Sequence, residues 1–227
     1  TPLYSSAASD VYKRQLVRRG RERVRGLVHG APVSSRRLSI TTRMTLKATA
    51  FLVVSATLII ALLEWRGFLA GMPASVKCLN AFFSGVTPRT AGFNSVDYAE
   101  AHPITLMVTD IYMFIGGGSA GTAGGIKITT ATVLLAAMLA EFKGRDATTV
   151  GHRTVPKSVV RQAMTVAAAG LVAVTAGVAT LRICDPQFTA DQVNFEVISA
   201  FATTGLSTGI TADLSTPSQL ALCLLCL

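Results

Sequence analysis

Residues 82–94 read Phe82-Phe83-Ser84-Gly85-Val86-Thr87-Pro88-Arg89-Thr90-Ala91-Gly92-Phe93-Asn94, and residues 195–207 read Phe195-Glu196-Val197-Ile198-Ser199-Ala200-Phe201-Ala202-Thr203-Thr204-Gly205-Leu206-Ser207. Setting Gly92 on Gly205 also brings Thr90 onto Thr203 and Phe82 onto Phe195. An apolar stretch precedes each copy and another follows. A single Thr-x-Gly is an ordinary turn, whereas two copies at matched positions between apolar spans are one device used twice. Irregular, glycine-bearing backbone at membrane depth is tolerated only where it lines a wet cavity or is buried in protein. The pair therefore points to a path for something polar.

Composition agrees. Of 227 residues 50% are hydrophobic and 15% charged, against about 25% charged in soluble domains, so the deficit favours a membrane protein. The net charge of +9 raises nucleic acid as a partner, but the bases cluster where they flank apolar spans. They are not interleaved with aromatics as a single-strand platform requires, which excludes that class. Cys78, Cys184, Cys223 and Cys226 are too scattered for a disulfide framework. The C-x-x-C pair lies inside an apolar run and reads as small hydrophobes of a helix.

Along the chain, residues 1–15 carry neither periodicity nor a signal peptide's apolar region and read as a spurious leader outside the fold. Residues 16–44 form a basic segment, cytoplasmic by the positive-inside rule, with Arg36, Arg37 and Arg43 placed to meet anionic headgroups. A first span covers about 45–63, closed by Glu64-Trp65-Arg66, with Trp65 at an interfacial position. A short helix over about 75–86 follows, too short to cross, and it ends at the first Gly-Thr segment as a re-entrant loop. Pro103 opens a second span, about 104–142, whose middle reads Gly116-Gly117-Gly118-Ser119-Ala120-Gly121-Thr122-Ala123-Gly124-Gly125. Glycine costs about 1 kcal/mol relative to alanine in a helix interior, so this run predicts a broken helix and a mobile strip. A basic loop over 143–157 and a third span over about 158–183 come next. Thr189-Ala190-Asp191-Gln192 predicts a capping box opening a second short helix, and residues 214–227 begin a last span that stops unfinished. The fold class is thus all-α, built from repeated span–pore loop–span units with one interrupted helix: one unit over 45–142, and another over 158–227.

The chemistry suits a cation. Backbone carbonyls replace an ion's hydration shell without trapping it, and glycine permits the backbone this needs. Thr90, Ala91, Gly92 and Phe93 offer one row, Thr203, Thr204, Gly205 and Leu206 the other, with threonine hydroxyls as spare ligands. Each short helix aims a partly negative C-terminus at the pore centre. Asp97, Glu100, Asp185, Asp191 and Glu196 read as external carboxylates that concentrate cations at a mouth. Arg89 reads as a brace on the pore loop through backbone carbonyls. Lys127, at membrane depth, reads as a group beside the glycine run that competes with a cation; Asp110 has two open readings, local cap or functional acid. His29, His102 and His152 suit loops and lack metal-ligand spacing.

These residues resemble the Trk/Ktr-type bacterial potassium-uptake pore subunits, the TrkH/KtrB family. Residues 83–94 are similar to its third pore loop, residues 114–127 to its intramembrane gating loop and residues 199–211 to its fourth pore loop. The resemblance implies four such repeats around one pore, with Gly92 and Gly205 as the third and fourth filter glycines. It implies residues 116–125 and Lys127 as the gate, and K+ bound at the filter residues. Na+ or H+ stands as a coupling ion, with no organic cofactor and no transition-metal site. A cytosolic nucleotide-binding ring subunit of TrkA/KtrA type, a homodimer of the full-length subunit and the lipid bilayer are the implied partners. The implied setting is a multi-pass protein of the bacterial plasma membrane, a transporter and not an enzyme. This chain has Gly-Ser-Ala-Gly where many members carry Ser-Pro-Gly-Ser, and the first two repeats are missing, so it reads as a C-terminal half.

Two other functions compete. One is a complete two-pore-loop cation channel subunit that dimerises. The other is a membrane oxidoreductase, because residues 116–121 satisfy G-x-G-x-x-G with Glu141 twenty residues beyond. A dinucleotide site needs a strand before the glycines and a compact βαβ unit, and apolar spans flank them instead.

Overall fold

The described residues of the computed structural model are 40–118, 124–144, 149–150 and 153–226. The leader 1–15, most of the basic segment 16–44, and the core of the glycine run, Ser119 to Ala123, lie outside them. Seven helices make the described architecture. They are α1 (Ile40–Glu64), α2 (Ala74–Val86), α3 (Pro103–Phe114), α4 (Ile128–Phe142), α5 (Lys157–Cys184), α6 (Ala190–Phe201) and α7 (Thr216–Leu225). Single turns of 3-10 helix at Tyr98–Glu100 and Ile210–Asp213 lead toward α3 and α7. Among the described residues the regular elements are helical but for one short strand pair between α4 and α5. There β1 (Thr149–Val150) and β2 (Arg153–Thr154) pair antiparallel over two residues each, too short to form a layer.

Helices α1 and α5 are long and apolar enough to cross a membrane. At about 1.5 Å per residue, 25 residues reach about 37 Å, past a hydrocarbon core of about 30 Å. Helix α1 buries Ala56, Ile60 and Glu64 on one stripe and exposes Phe51, Val54, Leu58 and Leu62 on the other. A helix apolar on both faces belongs in lipid, where the outer stripe escapes the cost of about 1.5–3 kcal/mol per large side chain left in water. Helices α2 and α6, with 13 and 12 residues, are too short to cross.

The two units share one plan. Helix α1 packs on α2 and α3, and α5 packs on α6 and α7; α3 against α6 and α4 against α5 join them. One core cluster belongs to both units, combining Leu69, Tyr98, Leu106 and Met113 with Phe195, Ala202 and Leu206. Tyr98 and Phe195 sit 5.3 Å apart across that seam.

Local signals place the short helices. Thr189 caps α6 with the full reciprocal capping box to Gln192, which satisfies two amides at a helix start. His102 caps α3 through its side chain, with Pro103 at the first position. Proline there costs nothing, because that amide has no helical partner.

Candidate functional site

Both short helices run straight into a Gly-Thr segment, and the backbone repeats across the copies. Thr90 and Gly92 have φ of 63° and 72°, and Thr203 and Gly205 have 50° and 85°. Among the described residues those two threonines are the only non-glycine residues in the left-handed region. That conformation costs an L-residue about 1–2 kcal/mol, and it recurs at matched positions of the two copies. Left-handed residues flanking a single residue that is not left-handed, Ala91 or Thr204, turn successive peptide groups away from regular helix or strand pairing. Phe93 O in the first copy accepts from Thr87 Oγ1 (3.0 Å).

The copies also touch. A Cβ placed on Gly92 would lie closer than 3.0 Å to the Thr204 carbonyl oxygen, whereas one on Gly205 meets nothing nearer than Gly92 Cα at 3.8 Å. Beyond the glycines the copies diverge. Leu206 is buried in the shared core, while Phe93 is 71% exposed. Two of the three threonine hydroxyls are engaged, while Thr204 Oγ1 is buried with no hydrogen-bond partner among the described residues. Thr90 Oγ1 donates to its neighbour's carbonyl at Arg89 (2.6 Å), and Thr203 Oγ1 accepts from the Gly124 amide (2.9 Å).

That last bond belongs to the interrupted helix. Helix α3 stops at Phe114 and α4 starts at Ile128, as the glycine run predicts. The described ends of the break are hydrogen-bonded to one another. Ile115 and Ile126 pair as a parallel bridge, with the Ile126 amide on Phe114 O (3.1 Å) and the Ile128 amide on Gly117 O (3.1 Å). Each Gly-Thr segment grips one side of this junction. Arg89 donates through Nη1 to the carbonyls of Ile115 (2.8 Å) and Gly116 (3.2 Å), so it braces the junction 26 residues away and not its own loop. From the second copy, Thr203 takes the Gly124 amide and Phe201 O takes the Gly125 amide (3.3 Å). Gly124 must lack a side chain here, since a Cβ would meet Thr203 Oγ1 at 2.7 Å and Ala202 O at 2.8 Å. Lys127 is half-buried at the cap position of α4. Asp110 is buried on the α3 stripe that carries Leu106 and Met113, and its Oδ1 has no hydrogen-bond partner among the described residues.

Two of the five supposed mouth carboxylates are something else. Asp97, Glu100 and Asp191 are exposed, but Asp185 and Glu196 are 3% and 4% exposed and fully engaged with the protein. Asp185 accepts from the Ser215 amide (3.2 Å), Ser215 Oγ (2.8 Å) and Gln187 Nε2 (3.3 Å). Hydrogen bonding from Ser218 and then from Ser215 and Gln187 holds its carboxyl below the usual carboxylate range, against a smaller upward push from burial. Glu64, read only as the close of a span, is its counterpart. It accepts from the His102 amide (2.9 Å), from Thr105 Oγ1 and from the Phe68 amide (3.2 Å). In each unit a carboxylate at the end of the first span thus ties down the residue that caps the last.

Trp65 is 41% exposed and lies under Lys77, whose Nζ is 5.1 Å from the ring centre and donates to the Trp65 carbonyl (2.8 Å). The four cysteines are free thiols. Among the described residues no cluster of His, Cys, Asp and Glu is arranged to hold a metal. A cleft between α4, β2 and α5, lined by Glu141, Lys157 and Arg161 among others, lies apart from the Gly-Thr segments.

Comparison with known proteins bears on this arrangement. The family profile described as "TrkH: Cation transport protein" matches residues 37–227. The chain is 37% identical over 183 residues to the Ktr system potassium uptake protein B of Bacillus subtilis, covering 80% of this chain and 41% of that protein. It is 33% identical over 191 residues to the potassium/sodium uptake protein NtpJ of Enterococcus hirae, covering 82% and 42%. The crystal structure of the potassium transporter TrkH from Vibrio parahaemolyticus superposes with a TM-score of 0.69 at 20% identity, over 81% of this chain and 41% of that one. That likeness concerns the fold. The chain spans about two-fifths of the length of these relatives.

Proposed function

This chain belongs to the TrkH family of cation transport proteins, a family of transporters and not enzymes, and we propose that it supplies two of the four walls of a potassium-uptake pore. The observation that carries the reading is the repeated left-handed pair, Thr90 with Gly92 and Thr203 with Gly205. Each pair sits where a short helix ends, and the two sit against one another. Carbonyls of residues 90–93 and 203–206 are the ligands in this reading. They carry no net charge, so they replace water around an alkali cation without trapping it. The C-termini of α2 and α6 add partial negative charge from behind.

The interrupted helix is the gate in this proposal. In support, the described ends of the run 116–125 bond to the segments, Gly116 through Arg89 and Gly124 through Thr203. A cytosolic nucleotide-binding ring subunit rearranges it, acting from the side that bears the basic segment 16–44. The full-length subunit is a homodimer, and Na+ or H+ is the candidate coupling ion. The setting is the bacterial plasma membrane.

The test is potassium uptake by the full polypeptide carrying this chain, expressed in a bacterial strain stripped of its own potassium uptake systems. Growth at limiting potassium, with rubidium influx opposed more strongly by potassium than by sodium, is the expected result. Influx indifferent to the choice of alkali cation overturns the filter assignment.

A further inference from the structure

We infer that Glu196 is the positioning residue that fixes the geometry of the second Gly-Thr segment and, through it, the preference among cations. This rests on the reading that residues 203–206 coordinate the ion. Glu196 lies midway along α6, ahead of the segment, and every group it binds lies after the segment. Its Oε1 accepts from Ser207 Oγ (2.5 Å), the Thr208 amide (2.9 Å) and Thr208 Oγ1 (3.3 Å). Its Oε2 accepts from Thr211 Oγ1 (2.8 Å). Ser207 Oγ in turn takes the Gly209 amide (2.8 Å) and meets Thr211 Oγ1 (2.8 Å). The carboxylate therefore clamps the helix entering the segment to the chain leaving it, with Thr203–Leu206 held between.

Packing alone does not explain an acid here. A carboxylate buried away from water is costly unless hydrogen bonds satisfy it, and the matched position of the first unit is Phe83. That unit uses a weaker tie, one hydroxyl on one carbonyl, Thr87 Oγ1 to Phe93 O at 3.0 Å. The two segments share a backbone conformation but not a brace. Bonds to an ionised acceptor are shorter and stronger than neutral ones, so the second segment is the stiffer of the two. Carbonyl ligands discriminate between ions through their number and field strength and through the size of the cavity they make. A stiff wall holds all of these against a smaller cation that would draw the carbonyls inward.

The experiment compares Glu196→Gln, Glu196→Ala and Asp185→Asn in the full polypeptide, scoring rubidium influx and its inhibition by sodium per molecule of membrane-inserted protein. Asp185 is as buried and as fully bonded as Glu196, but it ties Ser215, away from the segment. Glu196→Ala is expected to weaken discrimination against sodium by about tenfold, the scale of one lost charge-assisted bond. Glu196→Gln keeps the Oε1 acceptor and the shape, so it should restore most of the preference. Asp185→Asn should lower protein yield and leave the preference as it was. If Glu196→Ala does not reach the membrane, Thr211→Val, which removes the partner of Oε2, takes its place and should shift the ratio in the same direction. An unchanged ratio in the Ala or Val variant overturns the inference, as does an equal shift in Asp185→Asn. A wild-type protein that does not prefer potassium overturns the reading beneath it as well, and that failure is distinct because it appears before any substitution is made.

Discussion

Gly92 and Gly205 occupy equivalent places, yet alanine should damage them unequally. Both have left-handed backbone, φ 72° and 85°, so alanine costs about 1–2 kcal/mol at either. The surroundings differ. At Gly205 the new methyl meets only Gly92 Cα at an ordinary 3.8 Å, while at Gly92 it lands within 3.0 Å of Thr204 O. Overpacking of that kind adds about 1–3 kcal/mol, and the atom forced to retreat is a carbonyl of the opposite segment. Gly92→Ala therefore perturbs both segments and should total about 2–5 kcal/mol, against about 1–2 for Gly205→Ala. The gap of about 1–3 kcal/mol is about 5- to 150-fold in the population of intact geometry. The assay is rubidium influx per inserted molecule, with sodium inhibition alongside, and thermal unfolding of both variants in detergent. Gly205→Ala proving as harmful as Gly92→Ala, or more so, would refute the contact geometry on which the difference rests.

Two further perturbations address the junction and the clamp at the span ends. Arg89→Gln removes charge-assisted bonds to the Ile115 and Gly116 carbonyls, worth about 1.5–3 kcal/mol. The amides of Ile126 and Ile128 should then exchange with deuterium about ten- to a hundredfold faster, and unaltered exchange would show that the bridge does not need Arg89. For Asp185 the sign follows from its lowered pKa. Its contribution is fully present above the unfolded value near about 4 and is lost as pH falls through the lower folded value. Asp185→Asn should consequently lower the unfolding temperature at neutral pH and flatten its decline below about pH 4. A parallel decline in wild type and variant would count against the clamp.

Much of the scaffold is legible in the residues because it depends on local chemistry. The apolar run after residue 45 and the glycines after Phe114 mark their helix end and break to within a residue or two, and Thr189 with Gln192 marks the start of α6. The Gly-Thr copies are visible because the left-handed backbone leaves a trace in composition, glycine beside threonine. What cannot be read is which distant group a polar side chain reaches. Arg89 finds its carbonyls 26 residues on. Asp185 and Glu196 look like solvent-facing acids until packing shows them buried. The Glu64 and Asp185 ties stay hidden for a further reason. The register that sets Gly92 on Gly205 also sets His102 on Ser215, but it places Glu64 opposite Gly177 and Asp185 opposite Met72. The caps align and the carboxylates do not, because the connections differ in length.

Those two carboxylates have a bearing on how such a chain assembles. The bond from the His102 amide to Glu64 closes 38 residues on themselves, and the bond from Ser215 to Asp185 closes 30. Loop-closure entropy grows only as the logarithm of length, so these circuits differ by about 0.2 kcal/mol. Each unit therefore joins the end of its first span to the start of its last at nearly the same entropic cost. The contact of Tyr98 with Phe195 joins positions 97 residues apart, so its closure costs more than either tie. A chain made of self-fastening modules can be lengthened by copying one of them, since the copy brings its own clasp.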